Sequence, residues 1–309
     1  MEAYHSGRLL QYIQQRFPVS ESASIHYPYI AITVDSLLSA VHFPENTRPE
    51  WIAHKSLAVN LSDLASTGAK PLSVTLGLVL PEWDEEWIKQ FVSGFDQLQS
   101  RYNIQFTSCD VKSGPLSITI QACGGLKNKN RLLRSNAQPG DSIFVTNTIG
   151  DAACALPYIL GGKSIPEKHK DFLEQRFNLP QPQVEAGSCL NGLANSAIDI
   201  SDGLAADLQH ILEASQVGAV LEIDSLPSSP ALEALTTNDQ RYNHQLSGGD
   251  DYELCFTVSS DKCNEMQNKL SKLEVNVTEI GKITSGFGLC YQQNGQNIKL
   301  DVDGYDHFK

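Results

Sequence analysis

The sequence predicts an α+β protein that is divided into two domains. Short runs with strand character alternate with segments of helical apolar spacing along the whole chain. Gly124–Gly125 and the polar stretch Lys127–Arg131 interrupt this pattern and provide the best domain boundary. Both halves contain strands and helices in a similar order. We therefore expect one domain over residues 1–125 and a second over residues 126–309.

The composition indicates a folded, water-soluble protein and limits its partners. The chain has 309 residues, of which 41% are hydrophobic and 19% are charged, so it can bury a sizeable core. Its formal net charge of −13 gives it no general attraction for nucleic acid or anionic lipid, and neither is expected as a partner. A phosphate site in such a protein has to be built locally, from metal ions, backbone N–H groups or a few Arg and Lys side chains.

The chain has no membrane-spanning pattern and no disulfide or zinc pattern. Its longest apolar stretch, Leu76–Leu80, is far shorter than a membrane span, and the N-terminus lacks the architecture of a signal peptide. The seven cysteines are scattered, odd in number and without a CxxC pair, which is typical of reduced residues. We therefore expect a cytoplasmic protein.

The N-terminal half is predicted to contain two helices and several strands after an initial helical segment. Trp51, Leu57 and Leu61 recur at helical spacing. Asp84, after Pro81, is expected to begin the next helix. In chain order the predictions are a helix at 5–16, a strand at Tyr29–Val34 ending in Asp35, a helix at 51–67, a strand at Leu72–Leu80, a helix to about residue 100, and strands near 104–107 and 116–123.

The C-terminal half is predicted to continue with the same kinds of element. Its clearest feature is a strand, Ala197–Ile200, that leads through Ser201-Asp202-Gly203 into a helix from Leu204 to about Ser215. The other predictions are strands at Ser142–Thr146 and near 217–223, 252–258, 276–283 and 287–292, and helices near 150–160 and 183–194.

Common phosphate-binding motifs are absent. Gly161-Gly162-Lys163-Ser164 has the appearance of the end of a P-loop, but the required first glycine would fall at Pro157. A proline has no N–H group to offer a phosphate, so a P-loop is excluded. The sequence also lacks GxGxxG after a strand, HExxH, GxSxG and the protein-kinase loop motifs.

Aspartates at the ends of predicted elements are the best candidates for chemistry. Magnesium prefers hard oxygen ligands and usually keeps several waters, so one or two carboxylates per ion are enough. Several such ions could neutralise a triphosphate in this acidic protein. Structural alternatives remain open, because Asp before a helix is an ordinary cap and Asp-Gly is an ordinary turn. The candidates are Asp35, Asp63, Asp110, Asp199, Asp202, Asp250 and Asp251.

Ordered motifs in the chain resemble those of the thiamine-monophosphate kinases, within the aminoimidazole-ribonucleotide-synthetase-like superfamily. The most specific segments are Leu57-Ala58-Val59-Asn60-Leu61-Ser62-Asp63 and Asp199-Ile200-Ser201-Asp202-Gly203-Leu204. The resemblance covers the chain from about residue 31 to the C-terminus. The other matching segments are Thr33-Val34-Asp35, Val41-His42-Phe43, Gly114-Pro115-Leu116, Pro139-Gly140-Asp141, Gly248-Gly249-Asp250-Asp251-Tyr252-Glu253-Leu254 and Gly304-Tyr305-Asp306-His307-Phe308.

The resemblance implies a fold and an activity. The fold is an N-terminal α+β domain whose sheet joins two copies into a homodimer, a C-terminal α/β domain, and an ATP cleft between them. The activity is transfer of the ATP γ-phosphate to thiamine monophosphate with Mg²⁺. The acceptor oxygen is already anionic, so positioning and charge neutralisation are expected to suffice and no catalytic side chain is assigned.

The resemblance also implies roles for individual residues. Each role has a structural alternative: Tyr102 could close a helix face, Ser201 could cap a helix, and Tyr305 could pack against Phe308. His42 could be a core or rim histidine, and Arg134 could be a solvated surface side chain. The implied metal ligands are Asp35, Asp63, Asp110, Asp199 and Asp202; the nucleotide contacts are Tyr102, Cys109, Asp110, Arg134 and Ser201; and the substrate contacts are His42, Asp250 and Tyr305.

The chain departs from the family pattern on the metal and phosphate side. The segment 20–28 lacks the expected metal-binding aspartate, for which Glu21 is a speculative substitute. Val34 replaces a threonine beside Asp35, and Asn147 replaces a glycine, which is a mild change because Asn tolerates the left-handed conformation. The loop 108–113 keeps Asp110 but loses its glycines and hydroxyls.

Three functions remain open on the sequence. The first is the kinase, which we favour because the six family aspartates are present together. The second is a degenerate homologue that binds thiamine phosphate or nucleotide without efficient turnover. The third is another ATP-using member of the superfamily; a selenide-directed enzyme would need a reactive N-terminal cysteine, and the first cysteine here is Cys109.

Overall fold

The protein is described by a computed structural model that covers Arg16, residues 27–127, Lys129, and residues 131–162, 164–300 and Val302. Of the helix predicted at 5–16, only Arg16 lies within these residues. The chain separates into two compact units. The first contains the chain up to Leu64 together with Ala69–Lys129, and the second contains Ala65–Gly68 together with Asn130–Lys309.

The first unit is a four-stranded sheet with two long helices. The strands lie in the order β1-β4-β2-β3; β4 is antiparallel to both β1 and β2, whereas β2 and β3 are parallel. The elements are β1 (Tyr29–Leu38), α1 (Pro49–Ser66), β2 (Lys70–Leu80), α2 (Glu85–Arg101), β3 (Gln105–Ser113) and β4 (Ser117–Leu126).

Helices α1 and α2 cover one face of this sheet. The rings of Phe95 in α2 and Phe106 in β3 meet edge to face at 6.1 Å. Leu64 of α1 lies directly over Gly124 of β4, where a Cβ would come within 3.0 Å of the leucine methyl. Along β2 the residues that face the helices are buried, and they include Val74 at 2% exposure. The core of the unit therefore lies between the sheet and the two helices.

The opposite face of β1 is apolar and exposed. Successive strand residues point to opposite faces, so Ile32 and Val34 cannot share a face with Thr33 and Asp35. Ile32 is 63% exposed and Val34 is 62% exposed. Ile30 and Leu38 belong to the same outer face. We call these four side chains the β1 outer face.

A bulge in β3 decides which of its side chains face the helices. Val74 pairs with Phe106, but the next residue, Thr75, pairs with Ser108, so Thr107 is an extra residue. The Thr107 hydroxyl lies 2.8 Å from the carbonyl of Val74. Beyond the bulge every β3 side chain lies on the face opposite to the one that an uninterrupted strand would give it.

The second unit is a seven-stranded mixed sheet with seven α-helices among its described residues. The strand order is β11-β10-β7-β9-β5-β8-β6, and only the β10–β7 pair is parallel. The strands are β5 (Ser142–Thr146), β6 (Ser196–Asp199), β7 (Gly218–Glu222), β8 (Leu254–Val258), β9 (Val277–Thr284), β10 (Gly288–Gln293) and β11 (Gln296–Ile298). The helices are α3 (Asp151–Ile159), α4 (Glu167–Asn178), α5 (Val184–Leu190), α6 (Leu204–Ser215), α7 (Pro230–Leu235), α8 (Asn238–Ser247) and α9 (Cys263–Ser271).

Three adjacent strands at one end of this sheet, including the edge strand β6, are buried on both faces. Every residue of β5, β6 and β8 is buried, and the rings of Phe144 and Phe256 stack at 5.7 Å across the β5–β8 pair. None of the helices among the described residues has the length and apolar character needed to cross a membrane.

The α+β class and most element positions agree with the sequence predictions, but several elements differ. Asp35 lies inside β1 and Asp110 lies inside β3, so the expectation that each stands at or after a strand end was wrong. Helices α4, α7, α8 and α9 and strand β11 were not predicted. Helix α8, for example, contains few apolar residues and is marked instead by a capping box between Thr237 and Gln240.

Candidate active site

Two carboxyl groups meet on the helix-covered face of the first sheet. Asp35 comes from β1 and Asp63 comes from the last turn of α1, and their side chains share a hydrogen bond. Thr33 lies two residues before Asp35 on the same face of the strand. Its hydroxyl donates a hydrogen bond to the carboxylate of Asp63. The segment Thr33-Val34-Asp35 therefore supplies a hydroxyl and a carboxyl to one point, while Val34 faces outward.

The Asp35–Asp63 pair is electrostatically strained in the absence of a cation. Burial, and then the adjacent charge of Asp63 and its hydrogen bond, raise the pKa of Asp35 from 3.8 to about 7. Two carboxylates close enough to share a hydrogen bond repel each other unless a proton or a positive charge lies between them. The pair therefore has the electrostatic character of a site for a proton or a metal cation.

The structure does not bring Asp110 to this pair. Asp35 pairs with Ile120 of β4, which pairs with Leu76 of β2, and Leu76 pairs in turn with Cys109 of β3. Cys109 is therefore the β3 residue that shares the face of Asp35. Asp110 lies on the opposite face, where it accepts a hydrogen bond from Lys112 Nζ at 2.9 Å. That bond lowers the pKa of Asp110.

Cys109 is a neutral thiol in this position. Burial, and then the charge of Asp110, raise its pKa to about 12. A thiol of this kind is a weak hydrogen-bonding group and a poor ligand for a hard cation, because the thiolate is the metal-binding form.

His42 is oriented by the end of β1. Its Nδ1 accepts a hydrogen bond from the backbone N–H of Leu38 at 3.0 Å, so Nε2 carries the proton of the neutral ring. The Nζ of Lys55 lies 3.5 Å from the His42 carbonyl oxygen. The imidazole is half-buried and presents an N–H donor in a fixed direction.

Tyr102 lies at the end of helix α2. It is the C-cap residue of α2 and is 8% exposed, with the Arg101 guanidinium 5.1 Å from its ring centroid. This placement agrees with the alternative that Tyr102 closes the helix face that begins at Trp87.

In the second unit, Asp199 and Asp202 lie at the turn between β6 and α6. Asp199 is the last residue of β6 and is buried, whereas Ser201 and Asp202 are half-buried. Gly203 has φ +109°, and a Cβ there would come within 2.8 Å of the Ser247 carbonyl carbon. Only glycine fits this position, so the Asp-Gly step fixes the direction in which the turn enters the helix.

A residue that was not predicted, Asp207, holds this turn in place. Its Oδ2 accepts the backbone N–H groups of Ser201 at 2.9 Å and Asp202 at 3.0 Å. Burial raises the pKa of Asp207 to about 7, opposed by the two N–H groups and by the charge of Arg134. The repeated aspartate in Asp202-Gly203-Leu204-Ala205-Ala206-Asp207 is the sequence signal that could have identified it.

Arg134 lies close enough to this turn for its charge to act on Asp207. It begins a short 3₁₀ helix, Arg134–Asn136, and its side chain is exposed. Its carbonyl oxygen accepts a hydrogen bond from the Ser215 hydroxyl at 2.8 Å, which ties the segment to the end of α6.

The loop that carries Asp250 is joined to the same turn by backbone hydrogen bonds. The N–H of Asp250 donates to the Ser201 carbonyl at 2.9 Å, and the N–H of Tyr252 donates to the Ile200 carbonyl at 2.8 Å. A Cβ at Gly249 would lie 2.2 Å from the Ser201 oxygen, so this approach requires glycine. The structure therefore brings Asp199, Ser201, Asp202 and Asp250 together within the second unit.

Beneath this loop, Arg176 from α4, whose side chain is 15% exposed, faces three buried carboxylates. The Arg176 guanidinium contacts Glu253 at 3.1 Å, Asp151 at 3.5 Å and Asp251 at 3.9 Å, and all three carboxylates are at most 1% exposed. It also donates to the carbonyl oxygen of Thr148 at 2.8 Å. Helix α4 was not predicted from the sequence, so this group was missed.

The charges in this cluster do not balance. Burial raises the pKa of Asp251 well above its ordinary value and also raises the pKa of Glu253, and in both cases the charge of Arg176 opposes the effect. The remaining bonds fix the backbone: Asp251 Oδ2 accepts the N–H of Gly150 at 2.7 Å, and Asn147 Nδ2 donates to Glu253 at 3.0 Å. Asn147, the residue that replaces a family glycine, adopts φ +45° here.

Some predicted site residues lie outside the described residues. These are Tyr305 and the segment that contains Glu21. Within the described ranges, no three His, Cys, Asp or Glu side chains are grouped closely enough to hold a metal ion by themselves. Magnesium needs fewer protein ligands when phosphate oxygens complete its shell, and the oxygen donors of Asp35 and Asp63 suit that arrangement.

Comparison with known proteins gives the same family along almost the whole chain. The N-terminal domain of the AIR synthase related proteins matches residues 21–126, and the C-terminal domain of the same family matches residues 138–289. Thiamine-monophosphate kinase from Haemophilus influenzae is 42% identical over 284 residues, which are 91% of this chain and 87% of that protein.

Solved structures show the same likeness. The crystal structure of thiamine-monophosphate kinase from Stenotrophomonas maltophilia has a TM-score of 0.84 and 38% identity, and the match covers 94% of this chain and 96% of that one. A structure described as AaThiL complexed with AMPPCP and TMP has a TM-score of 0.80 and 27% identity, covering 100% of this chain and 98% of the other.

Proposed function

The chain belongs to the AIR synthase related family and, within it, to the thiamine-monophosphate kinases, and from that membership we propose its reaction. ATP and thiamine monophosphate are converted to ADP and thiamine diphosphate. The observation that carries this proposal is the 42% identity to a thiamine-monophosphate kinase over 91% of the chain. The related structure that holds AMPPCP and TMP supports the two substrates.

We infer that the carboxylates hold magnesium together with the phosphates of the substrates. Asp35 and Asp63 fit this role because they form a close pair of hard oxygen donors with an excess of negative charge. Asp199 and Asp202 supply further carboxylates at the β6–α6 turn. When bound, magnesium would offset negative charge on the phosphate oxygens during transfer.

The proposed transfer is direct and in line. An oxygen of the thiamine monophosphate attacks the γ-phosphorus of ATP, a new P–O bond forms, and the bond to ADP breaks. The nucleophile is already anionic, so the chain has to position it and to offset charge rather than remove a proton. The rigid anchoring of the β6–α6 turn by Asp207 serves that positioning.

The residues proposed to contact the two substrates are those that the resemblance implies. Ser201 and Arg134 are proposed for the nucleotide, along with Tyr102, Cys109 and Asp110 of the first unit. The last three carry less support, because Tyr102 is a buried cap, Cys109 is a neutral thiol, and Asp110 is paired with Lys112. The residues proposed for thiamine monophosphate are His42, Asp250 and Tyr305.

We also propose that the protein is a homodimer and works in the cytoplasm. β1 is an edge strand of its sheet, and its outer face exposes Ile30, Ile32 and Val34 at successive positions, followed by Ser36 and Leu38. Exposed apolar side chains grouped on one face in this way mark an interaction surface. A second copy of the chain is the proposed partner, because the family resemblance implies a dimer contact through this sheet.

The test is turnover with purified protein. ADP release is measured in a coupled assay with ATP, thiamine monophosphate and Mg²⁺, and thiamine diphosphate is identified by mass. Thiamine and inorganic phosphate serve as alternative acceptors. Binding of thiamine monophosphate without ADP release would identify a degenerate homologue, and release that requires a different acceptor would identify another ATP-using member of the family.

A further inference from the structure

The loop 248–253 separates its acidic residues into two sets. Asp251 and Glu253 are 1% exposed and face the Arg176 guanidinium. Asp250 and Tyr252 alternate with them and are half-buried. The inward residues have a structural role in the cluster described above, which leaves the Asp250 and Tyr252 side chains as the part of the loop that a substrate could reach.

The backbone at both outward residues is in a conformation that side chains rarely adopt. Asp250 has φ +67° and Tyr252 has φ +52°. A positive φ is uncommon for residues other than glycine and is a clear outlier for a bulky tyrosine. The hydrogen bonds to Ser201 and Ile200 keep the loop in this shape. Strain of this kind persists where the surroundings determine it, and it is found most often at functional sites.

Asp250 and Tyr252 are two residues apart, so an extended strand would also place their side chains on one face. The positive φ angles give the two side chains a different geometry, in which they meet. The Tyr252 hydroxyl donates to Asp250 Oδ1 at 2.9 Å. Asp250 is the carboxylate assigned to the substrate. The Tyr252 hydroxyl contacts the Asp250 carboxylate, and the proposed function gives this hydroxyl no role.

We propose that Tyr252 is a positioning residue for thiamine monophosphate, acting through its hydrogen bond to Asp250. This inference rests on the proposed function. The thiamine part of the substrate has a cationic thiazolium ring and, joined to it by a methylene group, a pyrimidine ring with amino hydrogens. A carboxylate recognises such a group best when its plane is fixed before binding, since less rotational freedom is then lost. The Tyr252 hydroxyl fixes one oxygen of Asp250 and thereby sets the direction of the carboxylate.

The test compares Tyr252→Phe with a matched control, Tyr242→Phe. Each substitution removes one hydroxyl that donates to an aspartate; the Tyr242 hydroxyl lies 3.1 Å from Asp224, away from the loop. For Tyr252→Phe we expect the KM for thiamine monophosphate to rise about tenfold, since a hydrogen bond to a charged group is lost. The kcat and the KM for ATP should change less than about twofold, and the control should match wild type in all three.

A merely structural role predicts a different result. It would lower the melting temperature, or change kcat and both KM values together, without a selective effect on thiamine monophosphate. A double-mutant cycle with Asp250→Asn gives the second readout, because Asn also tolerates a positive φ. If Tyr252 acts through Asp250, the two substitutions are not additive in their effect on that KM. Additive effects, or an unchanged KM in Tyr252→Phe, would overturn the inference.

Calorimetric titration with thiamine monophosphate separates this inference from the proposed function. A wild-type protein that binds the compound without phosphorylating it would overturn the proposed function alone, and weaker binding by Tyr252→Phe would still support the positioning role. If Tyr252→Phe does not fold, Asp250→Asn must weaken binding about tenfold for the inference to stand. A wild-type protein that neither binds nor phosphorylates the compound overturns both.

Discussion

The carboxyl groups of Asp35 and Asp63 share a hydrogen bond, although one comes from a strand and the other from a helix. Thr33 adds a hydroxyl bond to Asp63. The strand and the helix that provide these groups are both parts of the first unit, so the pair is built before any substrate is present.

The first prediction concerns the pH dependence of stability in the metal-free protein. The pKa of Asp35 is raised from 3.8 to about 7 in the folded state. Folding therefore favours the protonated form of Asp35. The contribution of this proton to the free energy of unfolding is complete below pH 3.8 and is lost as the pH rises through about 7. In EDTA, the melting temperature should fall between pH 5 and pH 8.

Asp35→Asn is the comparison that isolates this pair. Asp207 also has a raised pKa of about 7, so part of the pH dependence will remain in the variant. We expect the fall in melting temperature to be smaller in Asp35→Asn than in wild type. Equal slopes in the two proteins would show that the close pair does not exist in solution.

The second prediction concerns the role of the carboxylates in transfer. Asp63→Asn and Asp202→Asn remove a charge while keeping the size of the side chain. Each should reduce kcat/KM by roughly 100- to 1,000-fold, the scale for losing one electrostatic element of a preorganised site. Asp63→Asn should also raise the melting temperature in EDTA, because it relieves the repulsion with Asp35.

Asp84→Asn is the matched control for these amide substitutions. Asp84 is the N-cap of α2 and accepts the backbone N–H groups of Glu86 and Trp87. Asn caps helices as well as Asp does, so both activity and stability should stay near wild type. Full activity of Asp63→Asn and Asp202→Asn would mean that these aspartates are structural.

The third prediction concerns self-association through the β1 outer face. Light scattering should give a mass of about twice 33.9 kDa for the wild-type chain. The double substitution Ile32→Asp and Val34→Asp places two like charges on each copy at the proposed contact and should give monomers. Both side chains are more than half exposed in the single chain, so the unit should still fold.

Phe287→Asp tests whether any exposed apolar residue would have the same effect. Phe287 is 83% exposed and belongs to the second unit, whereas the β1 outer face belongs to the first. The control should remain a dimer. A monomeric wild-type protein at micromolar concentration, or an intact dimer of the double variant, would contradict the proposal.

The fourth prediction concerns the buried Arg176 cluster. Arg176→Met leaves three buried carboxylates without their cation, a change that typically costs about 3–5 kcal/mol of unfolding free energy. The cost should grow as the pH rises, because the carboxylates must remain protonated in the variant. Urea unfolding at pH 6 and pH 8 measures both effects.

Lys89→Met provides the contrast with an exposed ion pair. Lys89 lies 3.2 Å from Glu85, one turn away on α2, with both side chains about half exposed. Pairs of this kind contribute about 0–1 kcal/mol. A similar small effect for Arg176→Met would show that the buried cluster does not stabilise the second unit.

The sequence was informative where the chemistry is local. The step Ser201-Asp202-Gly203 predicts a turn into a helix, and the structure has that turn, because glycine at positive φ and a short acidic segment act within a few residues. Asp207 was missed because its contacts run backward from inside a helix. Arg176 was missed because α4 is largely polar and gave no clear apolar pattern.

The position of Asp110 shows what sequence patterns cannot supply. The face of the sheet on which the Asp110 side chain lies depends on the extra residue, Thr107. A shift of one residue moves every later side chain of the strand to the other face. Alternation along β3 alone cannot show where such a bulge lies. The same bulge brings Cys109 to the face that carries Asp35.

The backbone bonds between Ile200 and the Asp250 loop extend the β6–β8 ladder past the ends of both strands. Amide hydrogens at Asp250 and Tyr252 should therefore exchange with solvent as slowly as those of the central strands, unlike the amides of an ordinary surface loop. The binding loop cannot open on its own without breaking this ladder. Heating should consequently abolish substrate recognition in the second unit only at the temperature at which its sheet unfolds.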